Sequence, residues 1–286
     1  MQDRIQITID AQGVAEVRLV RADKMNALDA AMFSALTAAL AELRVCAGLR
    51  AVVLHGEGKA FCAGLDMGRF AAMAGSAEVS VAGTHDLRTR THGLANAPQH
   101  VAMGWRELQV PVIAAVQGAA FGGGLQLALG ADVRLLARDA RMSLMEIQWG
   151  LVPDMSALVL TRGLLRDDVL RELTYTGRVV AADEAVALGL GTRVCDDPLA
   201  EARAMAQAIA LRHPQAVRAA KRLLNQASRC LDDSAAALLQ AESDEQKALI
   251  GSANQKEAVR ANLEKREPRF QDVSAPDAGA RSRVSE

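Results

Sequence analysis

Pro111-Val112-Ile113-Ala114-Ala115-Val116-Gln117-Gly118-Ala119-Ala120-Phe121-Gly122-Gly123-Gly124-Leu125-Gln126 is the stretch of this 286-residue chain from which the fold is read. Val112 to Val116 is short, apolar and β-branched at both ends, the pattern of a buried strand. Gly118 to Gly124 reads as a glycine-rich loop, and Leu125 to Gly130 as the beginning of a helix. Three consecutive glycines allow torsions and close approaches that a Cβ would forbid. The first amides of a helix lack an internal acceptor and lie at the positive end of its dipole. Such amides can stabilise an oxyanion. A tight strand-to-helix turn accounts for the same residues without a ligand. The run is not a Walker loop, because no Gly-Lys-Ser/Thr follows, and it does not match GxGxxG.

Upstream, Ile5, Ile7 and Ile9 alternate with polar residues, and Asp10-Ala11-Gln12-Gly13 offers a turn before Val14 to Val20, which predicts a strand pair. Asp29 is a plausible N-cap for a helix over Ala30 to Arg44. Ala51 to Leu54 reads as a buried strand ending at His55-Gly56-Glu57-Gly58. The loop Gly58-Lys59-Ala60-Phe61-Cys62-Ala63-Gly64-Leu65-Asp66 then lies at a strand's C-terminal end, where ligands gather in α/β folds. An amide near Ala63 paired with one from the glycine run would make a two-donor hole, and Asp66 would cap the next segment. An ordinary loop is the plainer reading. Residues 68–104, with the Ala- and Gly-containing stretch Phe70 to Gly83, give no clear pattern before a helix ending at Leu108.

Downstream, Val133 to Ala137 reads as a strand. Helical spacing then covers roughly 156–165, 167–175, 182–189, 198–211, 214–250 and 254–265, until Pro268. The tail from Gln271 to Glu286 is rich in Ser, Ala, Gly, Arg and Asp, a composition that predicts disorder. Strands alternating with helices, then helices alone, predict an α/β core over 1–200, a helical region over 201–267 and a tail over 268–286.

Ser143-Leu144-Met145-Glu146-Ile147-Gln148-Trp149-Gly150-Leu151-Val152-Pro153-Asp154 puts two carboxylates in a mostly apolar stretch. Apolar surroundings penalise the charged form and raise carboxyl pKa values towards neutrality, which suits proton transfer. A surface Glu146 and an Asp154 that caps Met155-Ser156-Ala157 are the plainer alternative. Trp149 either walls a pocket or fills core.

Half the residues are hydrophobic and the formal charge is −1, which argues against a nucleic-acid surface. Cys46, Cys62, Cys195 and Cys230 form no CxxC pair and suggest a reducing compartment. His55, His85, His92, His100 and His213 have no partner at triad or metal spacing, so no metal is expected. Met1 to Asp10 is not a signal peptide, and no apolar run reaches about 18 residues. The expectation is a cytoplasmic protein.

These fragments together resemble the crotonase (enoyl-CoA hydratase/isomerase) superfamily from about residue 5 to about residue 270. The resemblance rests on Asn26-Ala27-Leu28, Lys59 to Asp66, Pro111 to Gly118, Gly122-Gly123-Gly124, Ala131-Asp132, Thr176-Gly177-Arg178 and Ala182-Asp183-Glu184-Ala185, in that order. It implies a spiral of ββα units with a C-terminal helical region that drives trimerisation, as a homotrimer or dimer of trimers. It implies an acyl-CoA thioester as substrate, whose carbonyl is held by the amides of Ala63 and Gly123, with Gly64, Leu65 and Asp66 lining the site. Lys265 aligns with a family lysine that reaches the coenzyme from a neighbouring subunit, and Lys24 in the first loop is a candidate for the coenzyme's phosphates; solvated surface charges account for both equally well. No cofactor is implied beyond the coenzyme A of the substrate.

Hydratases of the family use two glutamates, one at the position of Gln126 and the other at that of Glu146. Glutamine is not a useful general base, so the resemblance points away from two-glutamate hydration. Dienoyl-CoA isomerases of the family place an Asp at the position of Asp154, although they also tend to carry one where this chain has Gln126. Dehalogenases use a nucleophilic Asp at the Asp154 position but lack the glutamate that this chain keeps. The expectation is an isomerase that shuttles a proton with Glu146 and Asp154, Gln126 positioning Glu146 or a water. The alternatives are a hydratase using Glu146 with a water held by Gln126, and a non-catalytic acyl-CoA-binding protein.

Overall fold

The computed structural model describes residues 3–69, 86–229, 235–266 and 269. The stretch Phe70 to Gly83, His85, Cys230, Pro268 and the tail from Gln271 lie outside the described residues.

Ile5–Ile9 (β1) and Val14–Leu19 (β2) form the expected antiparallel pair, with Ile5 opposite Leu19. Asp10 closes its turn by accepting the Gln12 and Val14 N–H groups through Oδ1. From β2 onward the sheet is parallel: Ala51–Gly56 (β3), Val112–Val116 (β4), Val133–Ala137 (β6) and Arg193–Cys195 (β9) follow in spatial order. β3 and β4 are buried at every position, which explains the apolar runs Ala51 to Leu54 and Val112 to Val116. One face packs Val52, Leu54, Val112 and Ala114 with Leu36, Leu40 and Trp105. The other packs Val53, Ile113 and Leu135 against Ala202 and Ala206.

A second sheet holds Ala119–Phe121 (β5), Arg141–Ser143 (β7) and Val180–Ala181 (β8), in the order β5-β7-β8. The expected loop Gly118 to Gly124 is therefore corrected: its middle is β5, and Gly123 already belongs to the helix Gly123–Leu129 (α3). The strand pairs β4/β5 and β6/β7 each give one strand to the large sheet and one to the small sheet. This alternation winds the chain as a spiral. Strands of two or three residues are too short to show periodicity, so they escape a sequence reading.

Asp29 caps Ala30–Val45 (α1) as expected, its Oδ1 accepting the Met32 N–H at 2.7 Å. Asn96 and Gln99 form a capping box at the start of Ala97–Glu107 (α2). Of the helix expected over 156–165, only Ala157–Leu160 (α4) is α-helical; Gly163, at φ +71°, turns the chain away. Asp167–Thr176 (α5) and Ala182–Leu188 (α6) follow. Pro198–Ala210 (α7) straddles residue 200 and packs on β3, β4 and β6, so the boundary expected at 200/201 falls inside a helix that belongs to the core. The stretch expected as one helix over 214–250 contains Pro214–Arg229 (α8) and Ala235–Leu249 (α9); Ala253–Glu264 (α10) ends the described helices. No described helix is long and apolar enough to cross a membrane.

Asn26 ties two loops at the sheet's edge. It is fully buried at φ +55°, a left-handed conformation that asparagine tolerates. Its Oδ1 accepts the Arg21 N–H at 2.9 Å, and its Nδ2 donates to Glu57 O and Ala60 O at 3.0 and 2.9 Å. Asn26→Ala removes all three bonds and is expected to lower the unfolding free energy by about 2–4 kcal/mol, read by urea denaturation.

Candidate active site

A cleft of about 720 Å³ opens between residues 21–27, the loop 63–68, Phe121 to Gly123, the segment 145–155 and Gln246. Its walls are largely apolar, with Phe33, Leu65, Phe121, Met145, Trp149 and Met155, and two carboxylates, Glu146 and Asp154, project into it. Trp149 both lines the cleft and packs on the core.

One side of the cleft is built by main chain. The Cys62 N–H donates to Ala119 O at 3.0 Å and the Phe121 N–H to Cys62 O at 3.1 Å, which pins the loop along β5. Side chains would keep these strands apart. A Cβ at Gly64 (φ +87°) would lie 2.5 Å from Phe121 O, and one at Gly124 would lie 2.0 Å from Cys62 O. On the loop's other edge, the Leu28 N–H donates to Gly64 O at 2.7 Å and the Asp66 N–H to Leu28 O at 3.1 Å. In such a parallel bridge the N–H of the residue between, Leu65, points away from Leu28.

This geometry corrects one expected donor. The Ala63 N–H already donates to Met25 O at 2.9 Å. The Gly64 N–H is directed at the Cys62 thiol. Among the described residues the Leu65 N–H has no acceptor, and neither has the Gly123 N–H, at the first position of α3. The two free amides therefore belong to Leu65 and Gly123. Sequence reasoning placed Leu65 in the site, but could not see which way each amide of the loop points.

The opposite side carries the carboxylates. Glu146 starts a 3-10 turn over Glu146–Trp149 and is 9% exposed. Gln126 Nε2 donates to its Oε1 at 2.6 Å, and Oε2 has no hydrogen-bond partner. Burial pushes the Glu146 carboxyl from 4.5 up to about 7; the charge of Asp154 adds to the rise, and the bond from Gln126 opposes it. Asp154, 8% exposed, is likewise raised by burial from 3.8 to about 7, opposed by a hydrogen bond from Gln246. Neither carboxylate sits on the surface. The Gln126 Oε1 accepts the Met155 and Ala157 N–H groups at 2.8 and 3.0 Å, so Asp154 is not what holds the start of α4.

The remaining candidates divide. Lys24 is exposed on the rim of the cleft. Asp66 lines the cleft but is anchored: its Oδ2 pairs with Arg21 Nη1 at 2.7 Å, and its Oδ1 accepts the Gly68 N–H, the capping expected of it. Lys265 is the exposed C-cap of α10 and stands outside the cleft of its own chain. His55 is buried against Glu16 at 2.9 Å, and His92 stacks on His100, both away from the cleft. Among the described residues no three His, Cys, Asp or Glu side chains converge as a metal site.

The chain's likeness to known proteins follows the same lines. The family profile described as Enoyl-CoA hydratase/isomerase matches residues 10–273. Bacillus subtilis YngF, an enoyl-CoA hydratase/isomerase by name, is 32% identical over 96% of this chain and 100% of its own length. The mitochondrial Delta(3,5)-Delta(2,4)-dienoyl-CoA isomerase of Dictyostelium discoideum is 30% identical over 76% of this chain and 75% of its own. The crystal structure of an enoyl-CoA hydratase/isomerase from Mycobacterium paratuberculosis superposes with a TM-score of 0.80 at 27% identity, covering 91% of this chain and 98% of that one. With its spiral of short strands and its two facing loops, the chain belongs to the crotonase, or enoyl-CoA hydratase/isomerase, family.

Proposed function

We propose that this chain shifts C=C double bonds of an enoyl- or dienoyl-CoA by proton transfer through an enolate. The observation that carries this reading is the pairing, in one apolar cleft, of two carboxylates held near neutrality with two unengaged main-chain donors.

The thioester oxygen sits between the Leu65 and Gly123 amides, Leu65 taking the part first expected of Ala63. One carboxylate, ionised, takes a proton from the carbon next to the thioester. The C–H electron pair becomes a new C=C bond, and the negative charge moves onto the thioester oxygen. Fixed amide dipoles stabilise that charge without reorganising; one such donor is typically worth about 10²–10³ in rate. The other carboxyl, in its acid form, gives its proton to the far carbon of the conjugated system. Charge returns from the oxygen to form that C–H bond. No water is consumed, and the pair ends with its single proton exchanged.

With both groups at about 7, one ionised and one neutral carboxyl is a well-populated state near neutral pH. Gln126 is a positioning residue. Its Oε1 already accepts two amides, so it cannot accept a hydrogen bond from a water as a second carboxylate would, which supports isomerisation over hydration. The unspent acid–base pair supports turnover over mere acyl-CoA binding. Lys24 at the rim meets the coenzyme's phosphates. The chain assembles as a homotrimer or dimer of trimers, offering Lys265 to a neighbour's coenzyme.

Mass spectrometry of products from 3-enoyl-, 3,5-dienoyl- and 2-enoyl-CoA in D₂O tests this. The expected result is double-bond migration with deuterium uptake, and a loss of about 10²–10⁴ in Glu146→Gln and Asp154→Asn. Fast water addition to 2-enoyl-CoA with no migration in the others would sink the reading.

The rate should follow a bell in pH centred near 7, because both the doubly ionised and the doubly neutral pair lack one partner. Stability supplies an independent check. The folded chain holds the Glu146 proton more tightly than the unfolded chain, so this group's contribution is complete below about pH 4.5 and is lost as pH rises to about 7. Glu146→Gln escapes that loss. Relative to wild type it is expected to gain about 2–3 kcal/mol across this window in urea titrations at successive pH values.

A further inference from the structure

Gln246 lies on α9, remote in sequence from both carboxylates, yet it lines the same cleft and is 4% exposed. Its Oε1 accepts the Val152 N–H at 3.2 Å, and its amide lies close enough to the Asp154 carboxyl to hold down that group's pKa. Gln126 acts from the other side, where its Oε1 accepts the Met155 and Ala157 N–H groups. Two glutamine oxygens thus grip the backbone on either side of Asp154.

The segment needs such a grip. Between the 3-10 turn and α4 it belongs to no helix or strand. Pro153 has no N–H to offer, and Ser156 is held at φ +77°, a left-handed conformation that is uncommon outside glycine. Backbone groups outside a hydrogen-bond ladder need other partners, and side chains that reach them can supply these.

Resting on the isomerase reading, we propose that Gln246 is the positioning residue of Asp154, so that helix α9 completes the acid–base pair of its own chain. Each carboxylate then has its own glutamine partner: Gln126, which donates to Glu146 at 2.6 Å, and Gln246 beside Asp154. An amide N–H favours the ionised form and fixes the direction in which the carboxylate presents its free oxygen. Without it, Asp154 is free to rotate and keeps its proton to higher pH.

Two variants separate this role from simple loop packing. Gln246→Glu keeps an oxygen for the Val152 N–H but faces Asp154 with a second acid, and Gln246→Met removes both bonds at similar volume. In each, the pH–rate bell should move up by about one pH unit or more, the scale of one lost hydrogen bond to a charged group. At neutral pH kcat should fall about tenfold with KM nearly unchanged, as expected when positioning rather than binding is lost. A ¹³C titration of Asp154 reads the same shift without turnover. A residue that only held the loop would leave the Asp154 titration of Gln246→Met, which adds no charge, where it is in wild type, and that result overturns the proposal. Asp154→Asn runs beside them. Wild-type isomerisation by Asp154→Asn sinks the acid–base reading and the role of Gln246 with it. An impaired Asp154→Asn with unshifted Gln246 variants sinks the role of Gln246 alone.

Discussion

The site depends on one backbone-to-backbone contact: the loop at Cys62 to Asp66 lying against β5 and the first turn of α3. The hydrogen bonds between Cys62, Ala119 and Phe121 hold the two segments in register. Gly64 and Gly124 make the approach sterically allowed, since a Cβ at either would overlap a carbonyl oxygen. Because the loop pairs with β5 at Cys62 and with Leu28 at Leu65, its amides alternate in direction. The Ala63 N–H is spent on Met25, and the Leu65 N–H stays open beside Gly123. The two open donors are thus a consequence of strand geometry, set before any ligand binds.

Across the cleft the balance runs between burial and hydrogen bonding. Taking a carboxylate out of water raises its pKa, and each hydrogen bond to the charged form lowers it. Glu146 and Asp154 feel both, and in each burial is the larger effect. A surface carboxylate paired with arginine behaves in the opposite way, as Glu16 does beside Arg203, whose bond holds it below the ordinary glutamate range. The raised pKa values of this pair therefore come from where the fold puts these side chains, not from the residue types.

The C-terminal helices contribute to this site as well as to the bulk of the chain. α10 packs on the 3-10 turn that starts at Glu146, and Gly150 can turn beneath it because a Cβ there would crowd Gln255. α9 brings Gln246 to Asp154. A further link runs through Lys221 on α8, which donates to Trp105 O, Val110 O and Asp132 Oδ2. Its ammonium is almost wholly buried, and those three acceptors offset the cost of removing it from water.

The sequence alone determined the central strands β3, β4 and β6, the cap at Asp29, and the candidacy of Glu146, Asp154 and the glycine run at Gly123, while that of Gln126 came from the family resemblance. Each of those leaves a local trace: an unbroken apolar run, a capping residue before helical spacing, a carboxylate in an apolar stretch, a triplet of glycines. What only the tertiary structure decided has no local trace. Strands of two or three residues are defined by their partners, so β5, β7, β8 and β9 were invisible as periodicity. That α7 spans residue 201 and packs on the central sheet is likewise set by what the helix meets in space. The exchange of Ala63 for Leu65 as a free donor turned on which strand each amide faces, and Gln246 reached Asp154 only through a long-range contact. Side-chain chemistry is written residue by residue, whereas the direction of an amide and the neighbour of a carboxylate are fixed by chain segments that meet only once the molecule has folded.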